Sequence, residues 1–247
     1  MTADAILSEL MGVLIITAIA LSALVVAEVV KRLTSIPTEL TRKLAHIGSG
    51  FAVLCIPVVV HSAWTVCILA GGFVALMLVT DRLGLLQGVH GVGRGIGGVV
   101  WYPITAAVMY VIVFEVRDGT YLEYTIPILV LACADAMGAV VGRRWGRHRY
   151  EVVPGHHRSI EGSAAFWATA TTCVAVPLWL NGDVSAWQAF VIAGMIAILS
   201  TMCESVSVHG LDNLLVPLGT LLFLHRLMPL DPVEVAGHAA LLLVVAT

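Results

Sequence analysis

The chain has 247 residues, of which 59% are hydrophobic and 12% are charged. Soluble domains carry about 25% charged residues and a smaller apolar share, so this composition excludes an ordinary water-soluble protein and indicates a protein embedded in lipid. The net charge of −3 is too small to suggest a nucleic-acid partner. The five cysteines show no CxxC spacing and lie in or beside apolar runs, so we interpret them as small buried hydrophobic residues.

Nine apolar runs follow one another along the chain, rich in leucine, valine, isoleucine and alanine and without the alternation of barrel strands. Most reach the ~17–25 residues that a membrane-spanning helix needs. They lie at residues 10–30, 44–60, 63–80, 98–115, 124–142, 163–180, 187–204, 213–229 and 235–247. We predict an all-α fold: a polytopic transmembrane helical bundle of about eight or nine spans, with seven as the alternative, forming a single membrane domain over residues 1–247.

The connecting segments predict the orientation of this bundle. Three long segments, 31–43, 81–97 and 143–162, hold 11 of the 13 lysine and arginine residues, whereas the segments that alternate with them are short and poor in basic residues. Basic segments stay on the cytoplasmic side of a membrane. We therefore expect a multi-pass protein of the cell membrane with its N-terminus outside, and with these three segments and the polar break 205–212 in the cytoplasm.

A first polar cluster precedes the second run. His46 follows Arg42 by four residues and so lies on the same face of a helix, and Lys43 is beside it. Two interpretations stay open: a structural histidine, or a functional histidine next to a basic pair.

The fifth run contains a carboxylate. A charge near the centre of a membrane helix costs about 2.5–3.5 kcal/mol, so Asp135 indicates a function. Gly138, Gly142 and Gly146 follow near the same helix face. Such a stripe permits close helix packing or the approach of a bulky ligand, and packing alone does not explain the carboxylate.

The basic segment after this run ends in a second carboxylate, Glu161, beside Gly162. Two carboxylates on either side of a segment of arginines predict a site for Mg²⁺ and a polyphosphate, because Mg²⁺ prefers hard oxygen ligands and arginine clamps phosphate oxygens. The alternative is that the arginines set the topology and bind lipid headgroups. The basic residues concerned are Arg143, Arg144, Arg147, Arg149 and Arg158.

A last polar cluster, with Glu204, Asp212 and Asn213, separates the seventh and eighth runs. Other motifs fail. The GxGxxG pattern at 93–98 has no strand before it, no P-loop sequence occurs, and the adjacent His156 and His157 lack cysteine partners for zinc.

The combination of these motifs resembles the membrane-bound polyprenol kinase family, which includes dolichol, phytol and farnesol kinases, and it is more distantly similar to phosphatidate cytidylyltransferases. The similarity covers about residues 42–220. The matching features are Arg42-Lys43-x-x-His46-x-Gly48-Ser49-Gly50, Arg94 to Pro103, Asp135 with its glycines, Arg158-Ser159-x-Glu161-Gly162 and Glu204 to Asn213. Position 158 is an arginine where the family more often has lysine, and Asp135 stands alone where some members have an acidic pair.

The resemblance implies a phosphotransferase that uses CTP, or another nucleoside triphosphate, with Mg²⁺ to phosphorylate a prenyl alcohol taken from the bilayer. The alternative functions to this kinase activity are synthesis of a CDP-lipid and transport of a small solute. The catalytic candidates are Asp135, Glu161, Asp212 and His46, and the metal ligands are Asp135, Glu161 and Glu204. The candidates for nucleotide and phosphate binding are Arg42, Lys43, Gly138, Gly142, Arg143, Arg144, Arg158, Ser159, Gly162 and Asn213.

Overall fold

The computed structural model describes residues 3–90 and 97–246, and almost all of them are helical. The helices are α1 (Ala3–Leu33), α2 (Thr38–Val59), α3 (Ala63–Arg82), α4 (Gln87–His90), α5 (Gly97–Tyr110), α6 (Tyr121–Leu129), α7 (Asp135–Trp145), α8 (Ile160–Asn181), α9 (Ala186–Val206), α10 (Asp212–Leu227) and α11 (Pro232–Ala246). A π-helical turn, Val111–Val116, extends α5, and a second one, Val130–Ala134, joins α6 to α7 without a break.

Seven helices in the described residues are long and apolar enough to cross a membrane. The predicted polytopic helical bundle is therefore confirmed, and seven is the lower of the predicted counts. The spans are Ala3–Leu33, Thr38–Val59, Ala63–Arg82, Gly97–Val116, Tyr121–Trp145, Ile160–Asn181 and Ala186–Val206. The last two predicted runs form α10 and α11, which are helices of only 16 and 15 residues.

Two of the connections differ from the prediction. The segment predicted at 31–43 shrinks to the few residues between Leu33 and Thr38, because α2 begins six residues before its apolar run and carries Arg42 and Lys43 on a helix. The segment predicted at 143–162 contains an antiparallel hairpin of β1 (Arg149–Val153) and β2 (His156–Ser159), in which Arg149 pairs with Ser159. Gly155, with φ of 81°, makes its turn.

Local signals fix several helix ends. The hydroxyl of Ser62 accepts a hydrogen bond from the Thr65 amide at the start of α3, and the hydroxyl of Ser159 does the same for the Gly162 amide at the start of α8. At the other end of α8, Gly182 takes the left-handed conformation, with φ of 82°, that commonly ends a helix.

The described chain forms two compact units. Unit 1 comprises residues 1–121 and 209–214, and unit 2 comprises residues 122–208 and 215–247. In unit 1, α1 packs along α2 so closely that a Cβ atom on Gly48 would lie 2.5 Å from the Ala23 Cβ. In unit 2, a buried core is built around Phe166, Ala170 and Val174 of α8 and Ile192 and Ile196 of α9. The predicted single membrane domain stays a prediction.

Candidate functional site

In unit 1, three polar residues of α2 line one cavity. Arg42, His46 and Ser49 lie on successive turns of the helix and share a face. The guanidinium of Arg42 forms an ion pair with Glu39 at 2.6 Å, and its side chain is 18% exposed. Lys43, on the adjacent face, is also buried. The predicted cluster around His46 is therefore an ordered group of polar side chains on a helix rather than in a loop.

His46 is held by Tyr102 of α5. Their rings pack edge to face with centroids 4.5 Å apart, and the Tyr102 hydroxyl donates a hydrogen bond to the His46 carbonyl oxygen at 3.3 Å. Both residues are buried, and both line the cavity. The Tyr-Pro segment that resembled the family thus positions a predicted catalytic residue.

About 840 Å³ of empty space, with the open solvent at the mouth included, lies between the residues that line the cavity. Its polar side chains are those of Arg42, His46, Ser49 and Tyr102, and the rest of the lining is apolar or glycine. The remaining lining residues are Ile16, Ala20, Leu24, Ala45, Ala52, Val53, Ile56, Val66, Leu69, Ala70, Phe73, Met77, Val89, Gly98, Val99, Pro103 and Ala106. A molecule with a long apolar body and one polar end matches this lining.

The segment at residues 209–214 belongs to unit 1 and packs on the start of α5. The side-chain amide of Asn213 donates a hydrogen bond to the Gly98 carbonyl oxygen at 2.5 Å. His209 and Gly210 both have positive φ, of 54° and 82°. Gly210 lies so close to the backbone of Gly98 that a Cβ atom could not fit there. The predicted residue Asn213 therefore has a structural contact within this unit.

The short helix α4 also lies beside the cavity, which Val89 lines. Two hydrogen bonds of Gly88 anchor this helix. The Gly88 amide donates to the Glu28 carboxylate, and the Gly88 carbonyl oxygen accepts from the Thr41 hydroxyl, each at 2.8 Å.

Burial lowers the pKa of His90, the last residue of α4, below its usual 6.5, and the charge of Asp81 opposes this shift. His90 is consequently neutral at neutral pH.

In unit 2, Asp135 is the first residue of α7 and is only 6% exposed. The π-helical turn Val130–Ala134 comes directly before it. Such turns are rare and occur frequently at functional sites. The sequence predicted a costly carboxylate in an apolar span, and the structure places it in a buried position beside an irregular turn.

The glycine stripe of α7 packs against the start of α8. A Cβ atom on Gly142 would lie 3.0 Å from the Ser159 hydroxyl, and one on Gly162 would lie 3.0 Å from the Gly138 carbonyl oxygen. These distances agree with the packing interpretation of the glycine stripe, because α8 covers the helix face that a ligand would otherwise contact. A role of Gly138, Gly142, Ser159 and Gly162 in nucleotide binding stays a prediction.

Arg158 fastens the hairpin to the end of α9. Its guanidinium forms an ion pair with the carboxylate of Glu204, and it donates further hydrogen bonds to the carbonyl oxygens of Glu204 at 2.9 Å and of Ser207 at 3.2 Å. Three acceptors at a helix C-terminus are thereby satisfied by one cation. Tyr150 adds a second link, because its hydroxyl lies 2.6 Å from the Ser163 hydroxyl and 2.9 Å from the Ser205 hydroxyl.

Glu161 has its own partner in the same unit. Its carboxylate lies 2.7 Å from Nδ1 of His148 and accepts hydrogen bonds from the His148 amide at 3.2 and 3.3 Å. The arginines of the preceding segment are different in character. Arg143 and Arg144 are exposed in the last turn of α7, where the Arg144 guanidinium lies 5.1 Å from the centroid of the Trp145 ring.

Among the described residues, no group of three or more histidine, cysteine, aspartate or glutamate side chains is arranged to hold a metal ion. The predicted set of Asp135, Glu161 and Glu204 therefore does not form a ready-made cage. Mg²⁺ usually takes one or two carboxylates together with substrate phosphates and does not require such a cage. The Mg²⁺ site stays a prediction.

The predicted residues thus fall into two groups. Unit 1 holds Arg42, Lys43, His46, Asp212 and Asn213, and unit 2 holds Asp135, Gly138, Gly142, Arg143, Arg144, Arg158, Ser159, Glu161, Gly162 and Glu204. Arg94 lies outside the described residues. Sequence reasoning missed Glu39, His148 and Tyr150. Of these, Glu39 could have been found from the sequence, because it precedes Arg42 by three residues and an acidic and a basic residue at that spacing can pair on one helix.

The fold and the cavity define a class: a polytopic helical membrane protein with a deep apolar cavity that is polar at one end. The chain is 36% identical over 197 residues to phytol kinase from Synechocystis sp., and the similarity covers 79% of this chain and 82% of that protein. The chain therefore belongs to the phytol kinase family. No family model and no solved structure matches it.

Proposed function

We propose that the chain is a lipid-alcohol kinase, which transfers the γ-phosphate of CTP or another nucleoside triphosphate to a prenyl alcohol such as phytol, geranylgeraniol, farnesol or a polyprenol. Membership of the phytol kinase family supports this activity. The observation that carries the proposal is the cavity of unit 1, because it combines a long apolar lining with Arg42, His46 and Ser49 on the turns at one end of α2.

The two parts of the cavity would contribute differently to binding. A prenyl chain already lies among lipid tails, so moving it into an apolar cavity brings little hydrophobic gain. Selectivity among lipids would instead come from the shape of the lining and from hydrogen bonds to the hydroxyl group. The polar side chains of Arg42, His46 and Ser49 supply such partners.

The transfer itself needs a base and positive charge. The alcohol oxygen attacks the γ-phosphorus, the bond from that phosphorus to the bridging oxygen breaks, the nucleoside diphosphate leaves, and the hydroxyl proton passes to a base. We assign His46 as the base, because it lines the cavity, with Asp212 as the alternative in the same unit. Arg42 and Lys43 would neutralise phosphate oxygens.

The carboxylates of unit 2 fit Mg²⁺ by their chemistry, since they offer hard oxygen ligands. Asp135 is the first candidate ligand. Glu161 and Glu204 are engaged by His148 and Arg158, and each would have to exchange that partner to reach the metal. Bound Mg²⁺ would neutralise charge on the triphosphate during transfer. The exposed Arg143 and Arg144, together with Arg158, are the candidates for holding phosphate oxygens.

The proposal is tested with purified protein, Mg²⁺ and CTP labelled at either the α or the γ phosphate, offered with phytol, geranylgeraniol, longer polyprenols, diacylglycerol and phosphatidate. We expect γ-label in a prenyl phosphate and no α-label in any lipid. Label from the α-phosphate in a lipid would overturn the kinase in favour of CDP-lipid synthesis. Absence of transfer with CTP, ATP and UTP would overturn both and favour transport.

A further inference from the structure

The lining of the cavity in unit 1 changes from polar to apolar along α2. Its α2 lining runs from Arg42 through His46, Ser49 and Ala52 to Ile56, and no residue of α2 after Ser49 that lines it is polar. Over these 14 residues the helix rises about 21 Å. The cavity is thus a polar-ended shaft that follows α2 for about four turns.

The neighbouring helices confirm this direction. α1 runs antiparallel to α2, because Gly12 packs on the backbone of Val59 while Gly48 packs on Ala23. α3 begins three residues after α2 ends, so Val66 in its first turn lies close to the end of α2. Ile16 of α1 and Val66 of α3 therefore lie at the level of Ile56, at the end of the shaft remote from Arg42.

That remote end is packed shut. Ile16, Ile56 and Val66 are 2%, 3% and 1% exposed. All three are β-branched, so their side chains are restricted in rotation and yield little. Just beyond Ile56, Val60 is fully buried, and its carbonyl oxygen accepts a hydrogen bond from the Tyr110 hydroxyl at 3.2 Å.

The middle of the shaft is lined by alanines. Ala20, Ala52, Ala70 and Ala106 come from four different helices, and each is buried. A larger side chain at one of these positions would project into the space where an apolar chain would lie. The width and the depth of the shaft are therefore controlled by different residues.

We propose that this shaft measures the length of the prenyl chain: Ile16, Ile56 and Val66 set its end, and Ala52 keeps it open. The inference rests on the proposed function. An extended chain covers about 1.2 Å per backbone bond, so a depth of about 21 Å accommodates about four prenyl units. Alcohols of four units fill the shaft from the polar residues to its end, and longer ones cannot enter fully.

The test compares kcat/KM for prenyl alcohols of increasing length in three variants. Ala52→Leu blocks the shaft at about two thirds of its depth. We therefore expect the kcat/KM for the four-unit alcohol, divided by that for the two-unit alcohol, to fall at least about tenfold. Ile56→Ala removes part of the closed end of the shaft. The kcat/KM for a longer alcohol, divided by that for the four-unit alcohol, should therefore rise by a similar factor. Ile196→Ala is the matched control, since it makes the same truncation in the core of unit 2.

Ratios within one variant separate specificity from folding, because partial unfolding lowers the rates for all alcohols equally. Unchanged ratios in Ala52→Leu and Ile56→Ala, with wild-type protein active on prenyl alcohols, would overturn the length measurement and leave the kinase intact. An equal change of ratio in Ile196→Ala would also overturn it. If the wild type phosphorylates no prenyl alcohol, the proposed function fails and the inference fails with it.

Discussion

Asp135 is a predicted site residue whose burial carries a physical cost. A carboxylate that is 6% exposed inside a membrane-spanning helix has lost most of its hydration, which is costly unless the charge is compensated. Close packing of α7 on α8 needs its glycines and does not need this carboxylate. The packing of α7 on α8 therefore does not account for this residue, and its role in a reaction stays a prediction.

Replacing Asp135 by asparagine should abolish the proposed transfer while the protein remains folded. The two side chains have nearly the same size, but the amide is neutral and a poorer ligand for Mg²⁺, so we expect kcat to fall by more than about 100-fold. The measurement is γ-phosphate transfer from CTP to phytol by purified variants, with the elution profile in size-exclusion chromatography as the check of folding.

The matched control for this variant is Asp183→Asn, which makes the same chemical change at an exposed position of unit 2, between α8 and α9. Its activity should equal that of the wild type. Retention of wild-type activity by folded Asp135→Asn would remove Asp135 from the mechanism.

At the scale of the elements, the contact between α7 and the start of α8 depends on missing side chains. A Cβ atom on Gly142 would lie 3.0 Å from the Ser159 hydroxyl that caps α8, and one on Gly162 would lie 3.0 Å from backbone atoms of Gly138 and Gly142 in α7. In lipid, close contact between helices replaces the hydrophobic effect as the source of stability. A side chain inserted here would push the two helices apart.

Gly142→Val should therefore lower the free energy of unfolding by about 1–3 kcal/mol, the usual range for overpacking. The measurement is the unfolding midpoint in detergent micelles, compared with Gly194→Val in α9, where an added Cβ atom meets nothing within 4 Å. If Gly142→Val instead kept its stability and raised only the KM for CTP, the stripe would contact the nucleotide rather than α8.

At the scale of the whole molecule, hydropathy predicted each long helix but misjudged polar helical turns. All nine apolar runs correspond to helices, since lipid requires the backbone to satisfy its own hydrogen bonds. The start of α2 was missed because Arg42 and Lys43 resemble a loop by hydropathy alone. Their helix is stabilised by tertiary burial and by the ion pair with Glu39.

Charge in an apolar run predicted Asp135 as a site residue, and the four-residue spacing to Arg42 predicted His46. The roles of both residues stay predictions. The lining of the cavity could not be predicted, because it depends on which faces of five helices meet. The partners of Glu161 and Glu204 were missed for a related reason. His148 contacts Glu161 across the hairpin, and Arg158 pairs with Glu204, which lies 46 residues further along the chain. No periodic pattern in the sequence indicates such contacts.

The positions of its basic residues predict the orientation of the molecule in the membrane. Lys31 and Arg32 end α1, Arg82 ends α3, and Arg143 and Arg144 end α7, so basic side chains lie at the ends of the first, third and fifth spans. If each of the seven spans crosses once, these ends face the same side. The positive-inside rule makes that side the cytoplasm and leaves the connection between α8 and α9 outside.

Single cysteines in a background without the five native ones test this orientation. Ser35 and His157 are separated by four spans and should lie together in the cytoplasm, whereas Asp183 is five spans from Ser35 and should lie outside. All three are exposed. In intact cells, a membrane-impermeant maleimide should label Asp183→Cys alone, and permeabilised cells should label all three. Labelling of Ser35→Cys and His157→Cys in intact cells would reverse the topology and place the proposed kinase reaction on the outer face, where CTP is scarce.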